Sequence, residues 1–144
     1  MQAIILAAGI GKRISSSHNT PKILLEFDEK TLLERHIFNL HQLGAERIII
    51  CAGYQQELVR NELKKIGSSD VELVSNQEFH LGSTVSLLKT QPLISKNEDT
   101  LLMDADVLYH PEIINKLASS QHKNCLLIDR EFDEGVEPVK VCIR

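Results

Sequence analysis

Short apolar runs alternate with segments of helical periodicity along this 144-residue chain. Residues 3–6 are apolar throughout, the pattern of a strand buried on both faces. Residues 23–27 read as a short extended piece after Pro21. Thr31-Leu32-Leu33-Glu34 has capping-box spacing, and Leu33, Ile37 and Leu40 carry one apolar helical stripe towards a stop at Gly44. A second strand, 47–51, leads into a helix over 55–66 with Leu58, Val59, Leu63 and Ile66 on one face and Gly67 closing it. A strand at 71–75, a helix over 83–89 and a strand at 100–103 follow, and Pro111 suits the first turn of a helix carrying Ile113, Ile114 and Leu117. Residues 124–128 and 139–143 read as the last strands, with a solvated acidic loop between them. Strands alternating with helices predict an α/β fold with a mostly parallel sheet covered on both faces.

Composition narrows the function. A net charge of −4, 4% aromatic residues and no Trp leave neither the basic footprint nor the stacking platforms of a nucleic-acid binder. No apolar run reaches membrane-spanning length, so no membrane partner is expected. Cys51, Cys125 and Cys142 are odd in number and form no Cys-x-x-Cys pair; they read as buried free thiols in a cytoplasmic protein. The six histidines show no metal spacing and read as surface or helix-face residues.

Directly after the first strand comes Leu6-Ala7-Ala8-Gly9-Ile10-Gly11-Lys12-Arg13. Small residues there let the backbone approach a ligand and turn its N–H groups towards an anion, and Lys12 and Arg13 add charge. A Walker A loop fails, because Leu6 and Arg13 occupy its first Gly and its Ser/Thr positions. A dinucleotide fingerprint fails at Ile14. A tight turn with two solvated cations would explain the stretch alone.

The continuation through Pro21-Lys22, Leu24-Leu25-Glu26-Phe27 and the helix from Leu32 decides against that bland explanation. With Leu6, Ala7, Ala8, Gly9, Gly11 and Arg13, it resembles the signature of the nucleoside-triphosphate transferase superfamily. The resemblance implies a Rossmann-like three-layer sandwich of the nucleotide-diphospho-sugar transferase type. It covers the family's front half, so the chain reads as a single nucleotide-binding domain, 1–144, truncated at the C-terminus. By the same resemblance, the loop from Leu6 to Lys12 wraps the nucleotide, while Arg13 and Lys22 neutralise phosphate charge.

The strand at 100–103 runs into Asp104-Ala105-Asp106. Ligand sites in open parallel sheets lie beyond the carboxyl ends of strands, where the glycine-rich loop also sits. Mg²⁺ takes a few carboxylates together with phosphate oxygens and water. Turn chemistry is the competing explanation for such a pair. The superfamily places a metal-binding aspartate here, a role that falls to Asp106 with Asp104 in support. Asp-Ala-Asp departs from the commoner Gly-Asp and looks more like the phosphocholine cytidylyltransferase branch. The region matching the family's base-reading segment holds Asn76, Gly82 and Ser83, with helix capping an equal explanation for Ser83. Gly53-Tyr54 matches a family Gly-Tyr, and a turn beside a packed tyrosine explains it as well.

The expected reaction joins a nucleoside triphosphate to a small phosphorylated acceptor with Mg²⁺: CTP and a phosphocholine-like acceptor first, UTP or dTTP with a sugar-1-phosphate second. A nucleotide-binding module without turnover is the alternative of another class, and self-association into a homo-oligomer stays open.

Overall fold

The first apolar run forms β1, Gln2–Ala7. Then come a hairpin of β2, Glu26–Phe27, and β3, Lys30–Thr31, helix α1, Leu32–Gln42, β4, Arg47–Ala52, α2, Gln56–Ile66, and β5, Val71–Ser75. Helix α3, Ser83–Thr90, β6, Thr100–Asp104, and α4, Pro111–Ala118, complete the order. This computed structural model describes residues 1–10 and 20–128.

Local chemistry explains the helix boundaries. The Thr31 hydroxyl accepts the Glu34 N–H at 3.1 Å, the first half of the capping box. Gly67 closes α2 in the left-handed region, at φ 75°. Pro111 opens α4, where its missing N–H costs nothing.

The main sheet is parallel throughout, in the order β5-β4-β1-β6. Successive side chains of a strand face opposite ways. Ala3, Ile5, Ile48 and Ile50 therefore pack with Leu33, Ile37 and Leu40 of α1 and Val59 of α2. Ile4, Ile49 and Cys51 are equally buried on the other face, where the Cys51 thiol meets Ser86 of α3 and burial pushes its pKa up. The result is the expected three-layer α/β sandwich. At the amino end of the sheet, the buried Gln2 amide donates to the Ser95 carbonyl and the Thr100 hydroxyl, both at 2.8 Å. Its carbonyl accepts the Ser95 N–H at 3.0 Å.

Three expectations need correction. Residues 23–27 are not one extended piece: Lys22–Leu24 is a 3-10 turn, and only Glu26–Phe27 pairs, with Lys30–Thr31. Residues 124–128 form no strand, because nothing among the described residues pairs with them; Leu126 is 70% exposed. Cys125 on that segment is exposed rather than buried, whereas Cys51 is buried and free. Cys142, the acidic loop and the strand expected at 139–143 lie outside the described residues. No helix among those described is long and apolar enough to cross a membrane.

Candidate functional site

Parallel register brings the ends of β1 and β6 side by side, with Leu6 opposite Asp104. The Ala105 N–H donates to the Leu6 carbonyl at 3.1 Å, and the Tyr54 N–H donates to the Ala8 carbonyl at 3.1 Å. The opening of the glycine-rich loop is thereby tied to the chain on both sides. Beyond these ends lies a cleft of about 250 Å³ lined by Leu6, Ala7, Ala8, Gly9, Lys22, Gly82, Ser83, Asp104 and Asp106. Nine sequence-predicted residues, from four stretches of chain, thus share one concavity. Gly11, Lys12 and Arg13 lie outside the described residues.

Lys22 reaches the cleft because the 3-10 turn anchors on Ile23, which is 1% exposed in the core. Its Nζ meets Asp106 Oδ2 at 2.6 Å. Partial burial, and then the negative charge of Asp106, hold the Asp104 carboxyl above its ordinary pKa. Two carboxylates that repel each other, with an ammonium against one of them, mark a place where a cation is electrostatically welcome. Among the described residues no three metal-ligating side chains cluster. The donor set suits a hard ion that completes its shell with phosphate oxygens and water.

The far wall is built by packing. Helix α3 is entered through Gly82 at φ 106°, a backbone shape that favours glycine. Ser83 is therefore the first helical residue rather than the cap, and it lines the cleft. Asn76 does not reach the cleft lining. It is fully buried, its Nδ2 donating to Ser86 Oγ at 3.0 Å and its Oδ1 accepting the Glu78 N–H at 2.9 Å. A Cβ on Gly53 would stand 2.5 Å from the Asn76 carbonyl oxygen and 2.7 Å from the Phe79 ring. That close approach, more than turn geometry, explains the glycine. The Phe79 ring sits edge-on to Tyr54, with centroids 6.4 Å apart.

The sequence assigns no site role to Phe79 or Ser86, which also line the cleft. The signal available was a rare aromatic three residues before Gly82. The sequence also places all six histidines on the surface or a helix face, yet His36 is 1% exposed in the core. Its Nε2 lies 3.0 Å from the Ala105 carbonyl, between the two aspartates. Burial holds the His36 pKa below its ordinary value against the opposing pull of the Ala105 carbonyl and Asp106. The neutral ring must carry its proton on Nε2, since a carbonyl oxygen only accepts.

A parallel α/β sandwich with loop, lysine and paired aspartates at its strand ends defines a protein of the nucleotide-diphospho-sugar transferase fold. Residues 3–144 match the MobA-like NTP transferase domain, and the chain belongs to that family of nucleotidyltransferases. It is 26% identical over 136 residues to the CTP:phosphoglutamine cytidylyltransferase of Campylobacter jejuni, spanning 92% of this chain and 54% of that one. Among solved structures, the inositol-1-phosphate CTP transferase from T. maritima superposes with a TM-score of 0.71 at 27% identity, over 84% of this chain and 49% of that one. The CTP:phosphocholine cytidylyltransferase LicC from Streptococcus pneumoniae gives 0.62 at 34% identity, over 73% and 44%. The chain thus spans about half the length of these relatives.

Proposed function

We propose that this chain carries the nucleotide-binding part of a cytidylyltransferase that moves CMP from CTP to a phosphomonoester such as phosphocholine and releases pyrophosphate. The observation that carries the reading is the 2.6 Å pair of Lys22 and Asp106 in the cleft at the end of β1. The names of the three relatives support the nucleotide, since each acts with CTP. Asp-Ala-Asp at the end of β6 supports a phosphocholine-like acceptor.

An acceptor phosphate oxygen attacks the α-phosphorus; a new P–O bond forms as the bond to the β-phosphate oxygen breaks. Pyrophosphate leaves with that electron pair. No protein base is required, because a phosphomonoester, with a second pKa of about 6, is mostly ionised near neutrality. The chain's task is to hold two anions together and stabilise the charge on the departing group.

Leu6, Ala7, Ala8 and Gly9, continued by Gly11 and Lys12, supply backbone N–H donors to the nucleotide, and Arg13 and Lys22 meet its phosphates. Gly82 and Ser83 face base and ribose, while Asn76 acts indirectly by holding Ser86. Asp106, supported by Asp104, would hold Mg²⁺, which when bound supplies Lewis-acid stabilisation of the phosphates. Lys22 and Asp106 part on binding, each to its own share of the ligand. Free thiols at Cys51 and Cys125 fit a cytoplasmic setting.

Mixing the protein with CTP, Mg²⁺ and phosphocholine should release pyrophosphate, and CTP–Mg²⁺ should raise the melting temperature more than UTP, dTTP, GTP or ATP. A larger shift with UTP or dTTP would move the assignment to sugar-1-phosphate chemistry. Binding without release at high protein concentration would favour a module without turnover. No shift with any nucleotide would end the reading.

A further inference from the structure

Both polar groups of the Ala105 backbone are occupied. Its N–H donates to the Leu6 carbonyl at 3.1 Å and its carbonyl accepts His36 Nε2–H at 3.0 Å. Ala105 is buried, at 4% exposure, and its neighbours on either side are the two cleft aspartates. Holding both groups of this residue sets where the Asp104 and Asp106 carboxylates stand. His36 also stacks on Tyr109, with ring centroids 5.5 Å apart and planes 14° from parallel. One side chain of α1 thus grips the corner at Ala105 and again three residues past Asp106.

The other ring nitrogen shows what the imidazole is for. His36 Nδ1 is buried without a hydrogen-bond partner among the described residues, which is unfavourable for a polar atom. Leucine or methionine would fill such a core position without that cost. The imidazole offers what they lack, a donor that reaches a backbone carbonyl.

We infer that His36 is a positioning residue for the metal-holding corner: through Nε2–H it fixes the Ala105 carbonyl and so aims Asp106, with Asp104, at a divalent ion bound together with the nucleotide. The inference rests on the functional reading above. Removing partners that orient a metal's ligands typically weakens metal affinity about 10–100-fold.

The test is Mn²⁺ binding to the full chain in the presence of CTP, read by electron paramagnetic resonance, with melting temperature measured beside it. His36→Leu removes the donor, His36→Gln keeps an N–H near the Nε2 position, and His36→Asn keeps polarity but withdraws the donor from the carbonyl. Leu40→Val is the control, a core change on the same helix. His36→Leu and His36→Asn should weaken Mn²⁺ binding about 10-fold or more, with His36→Gln within about 3-fold of wild type. Leu40→Val should lower the melting temperature and leave Mn²⁺ affinity unchanged. Should His36→Leu fail to fold, the contrast of Gln with Asn decides. Equal losses in Gln and Asn, no loss in any variant, or the same loss in Leu40→Val overturns the inference while leaving the nucleotidyltransferase reading standing. A wild-type protein that binds no Mn²⁺ with CTP overturns both.

Discussion

On the side of β4 and β5 the cleft wall is made by contact. Gly53 lies against Phe79 and the Asn76 carbonyl, Phe79 meets Tyr54, and the Asn76 amide is spent on Ser86 and Glu78. On the side of β1 and β6 the wall is made by charge: an ammonium 2.6 Å from a carboxylate that stays open to solvent, with a second carboxylate beside it. In the first wall Gly53 and the Asn76 amide already have their contacts within the protein, so that part is preorganised before a ligand arrives. In the proposed function the second consists of partners that exchange each other for phosphate and metal. A surface pair of this kind contributes little to stability, so its cost to function and its cost to folding should separate cleanly.

The sharpest way to break this comparison is Asp106→Asn. It should lower turnover about 10³-fold with little change in melting temperature; Mg²⁺ dependence identical to wild type would remove Asp106 from the metal site. Lys22→Met should cost about 10²-fold in turnover. Freed of its ammonium partner, Asp106 in that variant should bind Mn²⁺ more tightly without nucleotide, and weaker binding would contradict the exchange. Gly53→Ala tests the packed wall. An added Cβ at 2.5 Å from backbone should destabilise by about 1–3 kcal/mol, seen as a lower melting temperature in the absence of any ligand. An unchanged melting point would mean the wall is soft.

The smallest effect concerns pH. Burial lowers the His36 pKa from its ordinary value of 6.5, so on acidification the unfolded chain takes up this proton before the folded one does. Stability should fall as pH drops through and below that value, by up to about 1.4 kcal/mol per pH unit for one proton, and be unaffected above it. His36→Gln should lose this slope. Parallel pH profiles for the two proteins would exclude it.

Elements whose partners are implied by their own pattern were legible in the sequence. The apolar runs of β1 and β4 predict burial on both faces, and Thr31, Gly67 and Pro111 mark helix ends through local chemistry. The residues that line the candidate cleft from Leu6 to Gly9, with Lys22 and Asp106, were legible through motif and strand-end position. What stayed hidden depends on distant partners. The hairpin turn uses Asp28 and Glu29 at φ 48° and 60°, where Asn-Gly is the usual signal. Phe79 matters through a glycine 26 residues earlier in the chain, and His36 through a carbonyl 69 residues later. Residues 124–128 have strand composition without a strand's neighbour, and composition alone does not supply one.

The Gln2 side chain, at the opposite end of the sheet, has a geometric consequence for the corner. Clasping Ser95 and Thr100 helps to stop β6 from sliding along β1. A slip of one residue would carry the aspartates about 3.3 Å along the strand and turn them to the reverse side. The depth of the acidic pair beside the opening of the glycine-rich loop is therefore held in part by an amide at the far end of the sheet.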